Sequence, residues 1–184
     1  ALLSVGQGAQ AAITEQIQGI GSNLIFVLPG QLEQAMGRPT ASRAAAPLTV
    51  QDAQAIMQPG RANHVAAVAP EINRSGNITY NGQSINTSIV CSTPEYEYVR
   101  NFHPAIGRFF TTSEDDTAAR VVVLGSQAAE VLFDDPQLAL GETVRINRVP
   151  FTVIGVLQSK GGQGFGGGSR DNIAIEPLNT ALNR

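Results

Sequence analysis

ALLSVGQGAQAAITEQIQGIGSNLIFVLPG, residues 1–30, reads as a helix followed at once by a strand. Val5, Ala9, Ala12, Ile13, Ile17 and Ile20 recur at three- and four-residue steps, one apolar stripe on a 3.6-residue period. Gln7, Gln10, Glu15, Gln16 and Gln18 fall largely elsewhere around that helix. Gly19 and Gly21 stop it, and Asn23 to Leu28 is predicted to form a short apolar strand closed by Pro29-Gly30. The helix opens on the bare apolar residues Ala1-Leu2-Leu3, with no methionine, leader or capping residue before them. It is therefore expected to continue upstream, with a membrane span as the first candidate.

Downstream, residues 30–48 carry scattered small and polar residues with Pro39 and Pro47 and no period, which predicts a long loop. Thr49 is expected to cap a short helix with Asp52 in its first turn, burying Val50, Ala53, Ile56 and Met57 before Pro59-Gly60 ends it. Strands are expected at His64 to Ala69, Asn77 to Tyr80 and Gln83 to Cys91. The last two are joined at Asn81-Gly82, a strong hairpin signal. Thr93-Pro94-Glu95 starts another helix, with proline where a missing N–H is harmless. Beyond residue 99 the elements shorten: a strand at Gly107 to Phe110, an acidic turn at Ser113 to Asp116, a strand at Val121 to Leu124, and a helix capped by Ser126 that ends at Asp134-Asp135-Pro136. A hairpin then pairs Glu142 to Ile146 with Pro150 to Leu157 about Asn147-Arg148. After the glycine-rich stretch GGQGFGGG at 161–168 come a strand at Asn172 to Ile175 and an outgoing helix from Pro177. This is an α+β order. It suggests a first subdomain of residues 1–98 and 172–184 carrying an inserted small α/β subdomain at 99–171.

Composition narrows the function. The 184 residues suffice for one large domain or two small ones, and 42% hydrophobic content is that of a folded chain. A net charge of −3 without a Lys/Arg cluster argues against nucleic acid as partner, since binding it needs a basic footprint. No apolar run approaches the roughly 20 residues needed to span a bilayer. Cys91 is the sole cysteine and reads as a small buried residue of a strand rather than a reactive thiol. Lys160 is the sole lysine.

Gly162-x-Gly164-x-x-Gly167 matches a dinucleotide fingerprint by letter, yet a strand follows it where that motif needs a helix N-terminus. A mobile hinge is the better reading of Gly161, Gly162, Gly164, Gly166, Gly167 and Gly168, because glycine leaves the backbone unrestricted. No GxxxxGK[ST] occurs, so an ATPase site lies elsewhere if one serves this chain. Ser126 sits between strand and helix like a hydrolase nucleophile, but Leu124 and Ala128 replace the glycines of G-x-S-x-G, and helix capping accounts for it. His64 and His103 with the distant Cys91 lack metal-ligand spacing. Glu114-Asp115-Asp116 and Asp134-Asp135 lack the pattern of a calcium loop and read as solvated helix-end charge. The expectation is a non-catalytic domain with no catalytic residue, no cofactor and no metal. A domain that captures an extracellular peptide or antibiotic between subdomains is the rival reading, and an unrecognised hydrolase a weaker one.

A helix ending SVGQGAQAAITEQIQGIGSN, followed by NLIFVLPG, resembles the start of the extracytoplasmic domain of MacB-type ABC transporter permeases. GRFFTTSEDD, VVVLGSQAAEVLF, GETVRINRVPFTVIGVL and DNIAIEPLNTAL continue the resemblance in order along essentially the whole chain. It implies a porter-like subdomain of βαβ-type layers with the smaller α/β subdomain inserted. It also implies an extracytoplasmic location between flanking transmembrane helices, in the periplasm or on the outer face of the membrane. The partners implied are a cytoplasmic ATPase domain and a membrane-fusion adaptor protein. A full-length permease of this kind is a homodimer, whereas the isolated domain is expected to be a monomer. Its role would be to transmit ATP-driven motion outward during export of antibiotics, peptides or lipoproteins.

Overall fold

The computed structural model describes residues 23–29, 47–162 and 169–183, together with the backbone of residues 32–35 and 38–41. The helix expected at residues 1–20 lies outside them. Two antiparallel strands, β1 (Leu32–Ala35) and β2 (Arg38–Ala41), form a sheet of their own. Seven more build the main sheet in the order β5-β8-β6-β9-β4-β3-β7. They are β3 (Glu71–Tyr80), β4 (Gln83–Ser92), β5 (Pro104–Gly107), β6 (Val121–Leu124), β7 (Thr143–Ile146), β8 (Val149–Leu157) and β9 (Ile173–Pro177). β7 pairs with β8 as well as with β3. β9 is central, parallel to β4 and antiparallel to β6. Strands from both sides of residues 98/99 and 171/172 thus lie in one sheet, and the mixed α+β class is as expected.

The core follows from period-two alternation. Ile89 and Cys91 of β4, Val122 and Leu124 of β6 and Ala174 of β9 belong to one buried cluster, which includes Ala129 and Leu132 of helix α4 (Ser126–Leu132) and Ala181 of α5 (Leu178–Leu182). The intervening Val90, Val123, Ile173 and Ile175 belong to a second cluster with Tyr96 of α2 (Tyr96–Val99), Phe102, Phe109 and Phe110. Both faces of the central strands are covered, which is why VVVL and IAIEP read as continuous runs rather than alternating ones.

Both hairpins form where expected. β3 and β4 pair from Glu71↔Ser92 to Tyr80↔Gln83 around Asn81 (φ 45°) and Gly82 (φ 85°), a turn with both central residues left-handed. The β7–β8 turn has the same form at Asn147 (φ 47°) and Arg148 (φ 74°), where an arginine occupies the position that favours glycine. Arg148→Gly is expected to raise stability by about 0.5–1 kcal/mol, read from the urea midpoint at unchanged slope; a loss of stability would refute it.

Several sequence expectations are corrected. Residues 24–28 join neither sheet, and Ile25 and Leu28 are 81% and 72% exposed. The loop expected at 30–48 contains the β1–β2 pair, whose four-residue strands are too short to show a period. Helix α1 (Val50–Ile56) has the expected cap: the Asp52 amide donates to Thr49 Oγ1, and the Thr49 amide donates to the Asp52 carboxylate at 2.7 Å. Yet α1 buries no residue, and Met57 is half exposed, because an apolar stripe shows which face could be covered and not that anything covers it. Residues 64–69 are not a strand; β3 begins at Glu71, its first half exposed on both faces and so without an apolar signature. Strand β5 ends at Gly107, where the strand was expected to begin. The acidic turn is a helical one, α3 (Thr112–Asp116), capped by Thr111 with Glu114 answering it. Ser126 is the first residue of α4 rather than its cap, Gly125 holds the cap position without a side-chain bond, and α4 stops at Leu132 before a 3-10 turn at Pro136–Ala139.

Candidate functional site: the neck of the glycine-rich loop

Of the hinge glycines, Gly161 and Gly162 are described; Gly164, Gly166, Gly167 and Gly168 lie outside the described residues. Both have positive φ, 61° and 74°, and nothing lies within 4 Å of the place a Cβ would take, so backbone conformation rather than space favours glycine there. The loop leaves β8 at Ser159-Lys160-Gly161 and returns at Ser169-Arg170-Asp171. Asp171 closes this neck. Its carboxylate accepts from the Lys160 amide at 2.7 Å, the Ser159 hydroxyl at 2.8 Å and the Gly161 amide at 2.9 Å. Burial alone would push the Asp171 carboxyl up; the bonds from Lys160, Ser159 and Gly161 outweigh it and hold the pKa below the usual carboxylate value.

The neck is also tied to its surroundings. The Gln127 amide at the start of α4 donates to the Asp171 carbonyl, and the Asn172 side chain donates to the Asn86 carbonyl of β4 at 3.0 Å. Lys160 Nζ donates to the Arg100 carbonyl at 3.1 Å and lies 4.2 Å from the centre of the Phe102 ring. Burial, then repulsion from Arg170 and Arg100, lowers the Lys160 ammonium to about 8, against a pull upward from Asp171. The sign of the linkage follows. Between about pH 8 and pH 10.5 the unfolded chain holds a proton at Lys160 that the folded one has released, so stability gained at this site rises with pH. The stability difference between the native chain and Lys160→Met is expected to grow in favour of the native chain across that window. Denaturant titrations of both at pH 7, 8, 9 and 10 would show it, and a flat difference would refute it.

The other candidates are dispersed into structural duties. Cys91 is fully buried; its thiol donates to Glu176 Oε1 and accepts from Arg74 Nη2, both at 3.2 Å. Burial, then the Glu176 charge, raises the thiol to about 11, the reverse of an activated cysteine. His64 is exposed in a turn, and His103 Nδ1 faces Glu97 at 3.2 Å. Glu114 takes a two-pronged bond from Arg108 at 2.7 Å per arm, which with the Thr111 cap lowers its carboxyl to about 2 despite partial burial. Asp115 accepts from the Asn179 amide in α5, and Asp135 from the Gln137 amide. Among the described residues no group of three or more His, Cys, Asp or Glu is placed to hold a metal ion, and no helix is long and apolar enough to cross a membrane.

Sequence reasoning missed Asp171, Arg100 and Glu176. For Asp171 a signal exists: S-K-G before the glycines and S-R-D after them place a short acceptor opposite backbone amides. Arg100 and Glu176 carry no local signature, since their roles arise from contacts distant in sequence.

Known proteins share this outline. A family model described as the MacB-like periplasmic core domain matches residues 1–184. The macrolide export ATP-binding/permease protein MacB of Hyphomonas neptunium is 33% identical over 184 residues, and that of Rhodospirillum rubrum 35% over 185. Each alignment covers 100% of this chain, which spans 27% of the length of either relative. The crystal structure of the periplasmic region of MacB from Actinobacillus actinomycetemcomitans superposes with a TM-score of 0.71 at 26% identity, covering 94% of this chain and 73% of that one. The extracellular domain of the noncanonic ABC-type transporter YknZ from Gram-positive bacteria shares the fold, with a TM-score of 0.61 at 22% identity over 74% of this chain and 65% of that one. A whole-length family match, relatives aligned from end to end of the chain and a superposable fold agree: the chain belongs to the MacB-like periplasmic core domain family.

Proposed function

We propose that the domain is the non-catalytic, extracytoplasmic part of an ABC transporter permease and passes motion driven by cytoplasmic ATP hydrolysis to the outer face. The observation that carries this reading is the family match along all 184 residues. The relatives named above are export ATP-binding/permease proteins, which supports an ATPase domain as partner; an adaptor protein of the membrane-fusion type is the second partner in this proposal, on the family resemblance alone. Antibiotics, peptides or lipoproteins are the cargo in this proposal, and transmembrane helices flank the domain in a homodimeric permease.

In the same proposal residues 1–98 and 172–184 form the porter-like unit and 99–171 the smaller one. The two share a sheet at two seams, β6–β9 and β3–β7, so relative movement takes the form of twisting that sheet rather than separating two bodies. The loop bearing Gly161, Gly162, Gly164, Gly166, Gly167 and Gly168 supplies slack at their junction. Prolines at Gly164, Gly166 and Gly168 in the full permease are expected to leave the circular dichroism spectrum unchanged and to cut export several-fold. Undiminished export from such a folded variant would remove the hinge role.

A further inference from the structure

Phe26 stands in the exposed segment at residues 24–28 that joins neither sheet, yet its ring is not idle. The Arg100 guanidinium carbon lies 4.9 Å from the centre of the Phe26 ring and 5.8 Å from that of Tyr96, inside the range of cation–π attraction to both. Tyr96 stacks on Phe102 with ring centres 5.8 Å apart and planes 10° from parallel. Lys160 Nζ lies over the Phe102 ring and donates to the Arg100 carbonyl. Arg100, Tyr96, Phe102 and Lys160 therefore close a ring of contacts, and the adjoining Lys160 and Gly161 amides are the ones that Asp171 holds.

The members differ in how firmly they are held. Tyr96 is 2% exposed and Phe102 7%, both in the second core cluster, so they have little room to absorb a displacement. Phe26 is 40% exposed, so of the three rings it is the member with room to change its approach to Arg100. We propose that Arg100 is a coupling residue: it reads the position of the segment carrying Phe26 and passes it, through its stacked and hydrogen-bonded contacts with Tyr96 and Lys160, to the neck of the glycine-rich loop. This deepens the transmission role proposed above and rests on that reading for its biological meaning. The physical linkage itself requires no transport.

The sole lysine supplies the reporter. Lysine-selective isotope labelling of the 184-residue chain gives one side-chain ammonium signal, from Lys160. Phe26→Ala is expected to shift that signal and to speed hydrogen exchange at the Lys160 and Gly161 amides by about threefold or more. Leu28→Ala, two positions along and 72% exposed, is expected to change neither. With Arg100→Gln already in place, Phe26→Ala is expected to add nothing, the non-additivity that marks a shared path. The proposal is overturned if Phe26→Ala leaves both readouts unmoved, if Leu28→Ala moves them equally, or if the Phe26 effect persists in full beside Arg100→Gln. Because neither readout involves export, such a result would break this linkage alone. Intact coupling with undiminished export from the loop-proline permease would instead remove the hinge role proposed above and leave this linkage standing.

Discussion

Gly107→Val is expected to lower the free energy of unfolding by about 4 kcal/mol or more, enough to leave much of the chain unfolded. Two costs coincide. Gly107 has φ 72°, a conformation in which a β-branched residue is strained by roughly 1–2 kcal/mol. A Cβ there would also strike the Ile154 carbonyl oxygen of β8, with Leu140 Cδ2 at 2.6 Å and the Gly155 Cα at 3.0 Å. Two of these obstacles are backbone of a strand paired on both sides, so they cannot move aside without opening the β5–β8 pairing. Gly141 is the control: its φ is 81° but nothing lies within 4 Å, so Gly141→Val carries the conformational cost alone. Urea denaturation of the two variants separates crowding from strain. Equal losses would refute the close-approach argument.

Asp171→Ala should be the most damaging change at the neck, at about 2–3 kcal/mol. It strips an ionised acceptor from three donors, of which the Lys160 amide is partly buried and the Gly161 amide and Ser159 hydroxyl can turn to water. Asp171→Asn keeps one acceptor oxygen and should cost about half as much. The pH dependence carries a sign. The folded carboxyl is held below its unfolded value, so its contribution is fully present above about pH 4–5 and is lost as pH falls through the folded pKa. Native and Asp171→Ala stabilities should therefore converge in acid. A gap that persists unchanged to about pH 2 would show that the carboxylate's charge is not what closes the neck.

How much of this was legible beforehand depended on where each signal resides. The hairpin at Asn81-Gly82, the Thr49 cap and the strand at Val121 are local, written in adjacent residues, and each forms as read. The first half of β3 was hidden because a strand exposed on both faces is specified by its partner's backbone and not by its own apolar pattern. The segment at Asn23 to Leu28 failed in the opposite sense: its apolar run is real, but among the described residues no sheet edge receives it. At the neck, glycines announce freedom while the restraint comes from Asp171, a residue whose partners precede it by 10 to 12 positions. The Arg100 contacts span residues 26 to 160 and are invisible to any window along the chain.

The central place of β9 sets a timetable for the growing chain. The β3–β4 hairpin is complete at Ser92, but the neighbour that occupies the other edge of β4 begins at Ile173. At ordinary synthesis rates of about 5–20 residues per second, the intervening stretch of about 80 residues takes roughly 4–16 s to make. Throughout that interval β4 is an open edge, a template for pairing with another nascent chain. Ile89, Val90 and Cys91, which β9 comes to pair, keep an apolar stretch of that edge unpartnered until it arrives. The domain therefore closes its sheet only when β9 arrives, and neighbouring copies of the emerging chain are the partners to which that edge is most exposed.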